Sequence, residues 1–398
     1  MKYFIALFFI YLYLHNPNIT MLGDIGAIKY LYPFIILLPF LKSGFKNFIQ
    51  NYAAIIISFF FIFTFTLFRS AIGGDDIYVY TTFIAFVEIV ILPYCLIRFF
   101  MVSKKNNLDI YNFLFILGAL ASIITFLCFI NPSFDYFVRN YLQSVDVQLQ
   151  EDLFRGFAIS GESTYGYGVI QAMICSLWIT KIENIKYKWF VLFVPFMILS
   201  ILLNARVGLV ILGIFVLLFL IIKHKVKYII YTIPVIYIVI FFASQIDLYS
   251  INPATAKWLE SYVDELFSGM NGDIQNSATL YTLTHRMAIF PESSFQWIFG
   301  RGVSLFGGNT ISSDVGYILQ LNYGGVIYVI LLILLLMSMY KVQHRVLDKS
   351  IILLFVVAFL IGNFKGMFLL NSGGLRLLML ITIYFRERYS FQHYSKIA

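Results

Sequence analysis

Four arginines, Arg155, Arg206, Arg286 and Arg301, carry the clearest chemistry in this sequence. A guanidinium stays charged at any physiological pH and presents a planar fork of donors, so several of them together suit a phosphate or a diphosphate. Arg155 opens a run that ends at Gly166, and Gly161, Gly166 and Gly168 within or beside it let backbone approach a ligand closely. Arg206 stands in Leu203-Asn204-Ala205-Arg206-Val207-Gly208, between two apolar stretches with almost no loop. Arg286 follows a polar stretch and precedes Phe290-Pro291, and Arg301 lies in Phe299-Gly300-Arg301-Gly302. The plain alternative for each is a local pairing with an acid such as Asp152, Glu162 or Glu292, or with lipid phosphate.

What must position these residues is a membrane-embedded helical bundle. Hydrophobic residues make up 61% of the chain and charged ones 12%, with a mean hydropathy of +0.86, whereas soluble domains carry about 25% charged residues. A span needs about 17 to 25 apolar residues. Candidates fall near 2–15, 27–41, 52–68, 81–101, 110–130, 165–181, 189–203, 206–222, 228–243, 316–339, 350–364 and 367–385. The expected fold is therefore all-α, a polytopic bundle of about twelve spans treated as one membrane domain over 1–398.

Alternate loops then separate by charge. One side collects Lys2, Lys42, Lys46, Arg98, Lys104, Lys105, Lys181, Lys186, Lys188, Lys223, Lys225 and Lys227, and further on Lys341, Arg345, Lys349, Arg386, Arg388 and Lys396, against only Asp109, Glu183, Asp348 and Glu387. Basic residues accumulate on the cytoplasmic side, so both termini are expected there and the four arginines on the outer side. The net charge of +8 then reflects anchoring to the inner leaflet more than nucleic-acid binding.

Two outer segments are long, 131–164 and 244–315. The second holds Asn252-Pro253 followed by apolar Ala254, Trp258, Leu259, Tyr262, Val263, Leu266 and Phe267, opposed by Lys257, Glu260 and Asp264. That spacing predicts an amphipathic helix, lying on the membrane interface or over the mouth of the bundle. Tyr3 to Leu14 reads as a retained signal anchor, and Cys95, Cys128 and Cys175 read as small core residues. Glu88 falls inside a span, with no Lys, Arg or His expected at its depth, and is the one feature that would favour a transporter.

The order of these features resembles the bacterial O-antigen polymerase (Wzy-type) proteins, which share a fold with the O-antigen ligases. The resemblance rests on the arginine-to-glycine run from Arg155, the Asn204-Ala205-Arg206-Val207-Gly208 turn, and a late large outer loop. That loop brings Arg286, then Gly300-Arg301-Gly302, then Ser313-Asp314-Val315-Gly316-Tyr317 just before a span. It implies a GT-C-like membrane glycosyltransferase of the bacterial inner membrane that moves a glycan from undecaprenyl diphosphate onto another lipid-linked repeat unit at the periplasmic face. The arginines would bind the diphosphate and no cofactor or metal would be needed. The implied partners are the lipid-linked oligosaccharide, membrane lipid and a chain-length regulator protein.

An acceptor hydroxyl is a poor nucleophile and gains from a carboxylate or imidazole base. Asp314 is the first candidate and Glu162 the second, with Asp75, Asp76 and His285 also on the outer side. The ligases carry a histidine near the start of the span that follows the big loop. Asp314 occupies that neighbourhood here, which favours the polymerase over the ligase, and each acid has the alternative role of helix cap or ion-pair partner.

Overall fold

The computed structural model describes residues 2–19, 26–38, 44–101, 108–142, 158–162, 166–204, 206–223, 281–304, 313–368 and 373–397, with isolated positions at 253, 256, 257 and 260. All regular elements among them are helical. The order begins with α1 (Lys2–His15), a 3-10 stretch Ala27–Leu37, α2 (Gly44–Ala71) and α3 (Ile77–Phe86), which runs through a π turn (Val87–Ile91) into α4 (Leu92–Leu96). Next come α5 (Ile110–Ile130), α6 (Pro132–Phe137), α7 (Gly166–Lys181), α8 (Val194–Asn204) and α9 (Arg206–Ile222). The last are a π turn (Thr282–Arg286), α10 (Ser294–Phe299), α11 (Gly316–Gln343), α12 (Lys349–Gly362) and α13 (Gly373–Ile397).

Five helical stretches among the described residues are long and apolar enough to cross a membrane: Phe45–Ala71, Ile77–Phe100, Ile110–Ile130, Ile185–Asn204 and Gly316–Gln343. Shorter apolar helices cover Tyr3–His15, Ala27–Ile36, Val207–Ile222 and Lys349–Gly362. The difference from about twelve expected spans has local causes. Within the stretch expected over 27–41, Ala27–Leu37 winds as a 3-10 helix with Pro33 inside it, and of the one expected over 367–385 the described helix is Gly373–Ile397. The stretch 228–243 lies outside the described residues, as does most of the expected amphipathic helix, of which Pro253, Ala256, Lys257 and Glu260 are helical with Ala256 buried.

The chain divides into two compact units, one made of residues 1–16, 26–113 and 282–398 and the other of 17–25 and 114–281. In the first, α2 packs along α11, joined by a hydroxyl pair between Ser58 and Ser338 at 2.7 Å and by stacking of Phe65 on Tyr328. Its loops sort to opposite ends. At one end α2 turns into α3, α11 starts and α12 stops. At the other, Arg386 reaches Asn51 near the start of α2 (3.1 Å), and Glu387 takes Tyr52 (3.2 Å) and Arg98 (3.5 Å).

In the second unit α7 packs against α8 and α9. Tyr167 is fully buried there between Thr125 (2.8 Å) and Ser200 (3.1 Å), so that three hydroxyls satisfy one another away from water. Cys95, Cys128 and Cys175 are buried and unbridged, as core residues should be.

The interior of the first unit corrects the reading of Glu88. Its carboxylate meets the Arg376 guanidinium at 3.3 Å, with the two side chains 8% and 2% exposed. Tyr32 donates to the same carboxylate at 2.9 Å, and Tyr13 donates to the Glu88 carbonyl at 2.8 Å. Arg376 falls within the apolar stretch expected over 367–385, and α13 carries it into the interior beside Glu88.

Candidate functional site

The polar end of the first unit is organised by a break in a long helix. α11 is non-helical at Gly325, where φ is +64°. An interrupted helix leaves backbone carbonyls without their usual partners. Here the backbone N–H of Arg301 donates to the Asn322 carbonyl (2.5 Å) and that of Gly302 to the Tyr323 carbonyl (3.0 Å). The Gly300-Arg301-Gly302 turn, released by the end of α10, is thus docked on the break.

Glycine is required on both sides of this contact. Gly300 has φ +77°, and a β-carbon on it would overlap the Tyr323 carbonyl, while one on Gly325 would overlap the Ile298 carbonyl. The turn extends the bonding to the loop after α2. Gly302 accepts from the Asp75 N–H at 2.7 Å, and the Asp75 carboxylate accepts from the Ser304 N–H. Beneath it lies Arg69, only 5% exposed, its guanidinium against Gly302 and its Nε without a partner among the described residues. Tyr78 stacks on Tyr323 at 3.6 Å and closes the floor.

Three chain segments that carry charge converge at this end. Arg286 is exposed on the π turn Thr282–Arg286. The next residue, Met287, accepts through its carbonyl from the Ser313 hydroxyl at 2.9 Å, beside Asp314. Ile289, Val315 and Met367 pack on Ile318 and Leu319, and Gln320 exchanges amide hydrogen bonds with Asn363 at 3.0 and 3.1 Å. One small apolar core therefore holds the segments bearing Arg286, Asp314 and Lys365. Asn322 Nδ2 donates to the Ile289 carbonyl at 2.6 Å and fixes the strand that leads to Arg301.

The charges themselves are partly paired. Arg301 donates to the Phe290 carbonyl (2.7 Å) and to Glu292 (3.2 Å), the local acid expected for it. Asp314 pairs with Lys365 at 3.0 Å, both side chains 46% exposed. A pair so open to solvent is weakly bound and its members can be drawn to a substrate. Asp76 accepts from Ser70, and His285 is exposed.

The remaining residues belong to the second unit. Arg155 lies outside the described residues. Arg206 is the first residue of α9, and its side chain is likewise outside them. Gly208 packs against the Gly168 carbonyl, 2.7 Å from where a β-carbon would stand, and Gly166 is 2.9 Å by the same measure from a Glu162 carboxylate oxygen. The turn at Arg206 and the glycines that close the Arg155 run thus meet at the start of α7, with Glu162 half-buried beside them.

Arg69 and Lys365 are the members of the polar end that the sequence did not single out. A basic residue at the end of a span, followed by Gly73-Gly74-Asp75-Asp76, is the signal that marks Arg69. Among the described residues no group of three or more His, Cys, Asp or Glu side chains could hold a metal ion. Compared with known proteins, the chain matches no family model, no curated protein and no solved structure.

Proposed function

We propose that this chain is a surface-polysaccharide polymerase of the Wzy type, a GT-C-like glycosyltransferase of about twelve spans in the bacterial inner membrane with both termini in the cytoplasm. One observation supports the reading most: a Gly-Arg-Gly turn seated on a broken span, with Arg286, Lys365 and Asp314 anchored around the same small core. Irregular backbone at a helix break is expected where it borders a polar cavity, and such places hold anionic groups.

In the proposed reaction the acceptor sugar hydroxyl attacks the anomeric carbon of the lipid-linked glycan. The new C–O bond forms as the bond to the diphosphate breaks, and undecaprenyl diphosphate leaves with the electron pair. Arg286 and Arg301, with Arg155 and Arg206 as further diphosphate ligands, stabilise that charge. Asp314 takes the hydroxyl proton, and Glu162 is the second candidate. A lipid diphosphate is already a good leaving group, so fixed cations supply the main need. The lipid-linked oligosaccharide is the substrate, and a chain-length regulator is the expected protein partner.

The test is the surface glycan of a deletion strain complemented with variants and run on a gel. Arg286→Ala or Arg206→Ala should leave the protein inserted but yield single repeat units in place of a ladder. Polymer stranded on undecaprenyl diphosphate would identify a ligase. Repeat units held at the cytoplasmic face, with Glu88→Gln as the severe change, would identify a transporter. A normal ladder in the deletion strain overturns the polymerase.

A further inference from the structure

The opposite end of the first unit carries a second cationic site, independent of the reaction proposed above. Two neighbouring cavities open there, of about 340 Å³ and about 230 Å³, with Arg345 lining both. His344 and Arg388 line the larger and Lys341 and Arg386 the smaller. Asp348 is the carboxylate among the lining residues. Nearby Glu387 does not offset the excess, because Arg98 and Tyr52 already hold it.

These cations are not consumed by the fold. Lys341 and Arg345 have no hydrogen-bond or ion-pair partner among the described residues. Arg386 gives one bond to Asn51, and its buried Nε has none. Among the described residues Arg388 donates to the Tyr384 hydroxyl alone, at 3.3 Å. Like charges gathered around these cavities repel one another, and an anion bound there would relieve that cost.

The surroundings select the kind of anion. The helices that supply lining residues also present exposed apolar side chains within five positions of them in sequence, Met337 and Tyr340 on α11 and Phe45 and Ile49 on α2. Cationic cavities on helices that expose apolar side chains match a phosphate on an acyl-bearing molecule. In the topology proposed above, on which this step rests, this end faces the cytoplasm, where anionic lipids attract clustered Lys and Arg.

We propose that these two cavities, which share Arg345 in their linings, bind the phosphate of an anionic phospholipid headgroup, with Arg345 as the central ligand. The probe is phosphatidylglycerol added to the purified full chain in detergent, with retained lipid counted by native mass spectrometry. Phosphatidylcholine and inorganic phosphate serve as the comparison ligands. Arg345→Gln/Arg388→Gln should weaken phosphatidylglycerol binding roughly 30-fold, at about fivefold for each cation removed, while Arg345→Lys should retain most of it. Lys186→Gln/Lys188→Gln removes the same charge from residues that line neither cavity and should change little. Equal loss in both double variants would reduce the effect to general attraction and overturn the site. Binding of inorganic phosphate without retained phosphatidylglycerol would overturn the lipid as its source.

Discussion

Two carboxylate–cation pairs in the first unit have nearly the same length and opposite surroundings. Glu88 and Arg376 meet at 3.3 Å with side chains 8% and 2% exposed, and Asp314 and Lys365 meet at 3.0 Å with both 46% exposed. Distance does not separate them, but solvent does. In water a pair at about 4 Å gains only about 1 kcal/mol, and the gain rises as the dielectric falls, along with the cost of stripping water from each ion. The buried pair is therefore locked into the packing, and its members cannot leave without exposing the other. The open pair contributes little to folding and can rearrange when a ligand arrives. Charge that builds the bundle and charge that can act on a substrate are thus distinguished by depth.

The largest effect is expected at Glu88. Glu88→Ala leaves Arg376 buried without its carboxylate and should cost about 3–5 kcal/mol, seen as loss of monodisperse protein in detergent and a lower Tm. Glu88→Leu/Arg376→Met should recover much of that loss, because an apolar pair of similar size removes both ions. If Glu88→Ala melts like the parent, the buried pair is not structural.

Next in size is the docked turn. Gly300→Ala or Gly325→Ala places a methyl against backbone at a positive φ and should cost about 1–3 kcal/mol. Because the turn carries Arg301, the glycan ladder should shorten in the same variants. Unchanged melting and an unchanged ladder would show that the turn is not held by this contact.

The smallest stability effect belongs to Asp314. Asp314→Asn should shift stability by no more than about 0.5 kcal/mol, yet abolish chain lengthening if Asp314 is the base. A full ladder from Asp314→Asn would move that role to Glu162. Lys365→Ala sharpens the point, because it frees Asp314 and should leave the melt unchanged.

Much of the helical framework was legible in the sequence. The runs over 110–130, 165–181 and 206–222 became α5, α7 and α9 almost to the residue, since an apolar segment with no water to bond must satisfy its backbone internally. The local pairing of Arg301 with Glu292 was also readable, because the two lie only nine positions apart, on either side of the short helix α10. The partner of Glu88 was not. Arg376 lies 288 residues away, and no periodicity links two helices so distant in the chain. Lys365 and Arg69 were hidden for the same reason, as ordinary loop cations until their neighbours were known.

Composition and patterning alone determined that this chain is helical and apolar, and that its basic residues favour alternate loops, because those properties follow from each segment's own exchange with water. Only the tertiary structure decided which side chains meet: that Arg376 enters the bundle beside Glu88, that the Gly300-Arg301-Gly302 turn seats on the break at Gly325, and that Arg345 borders two cavities. Such meetings depend on packing between segments far apart in the chain, and local hydropathy does not encode which helix faces which.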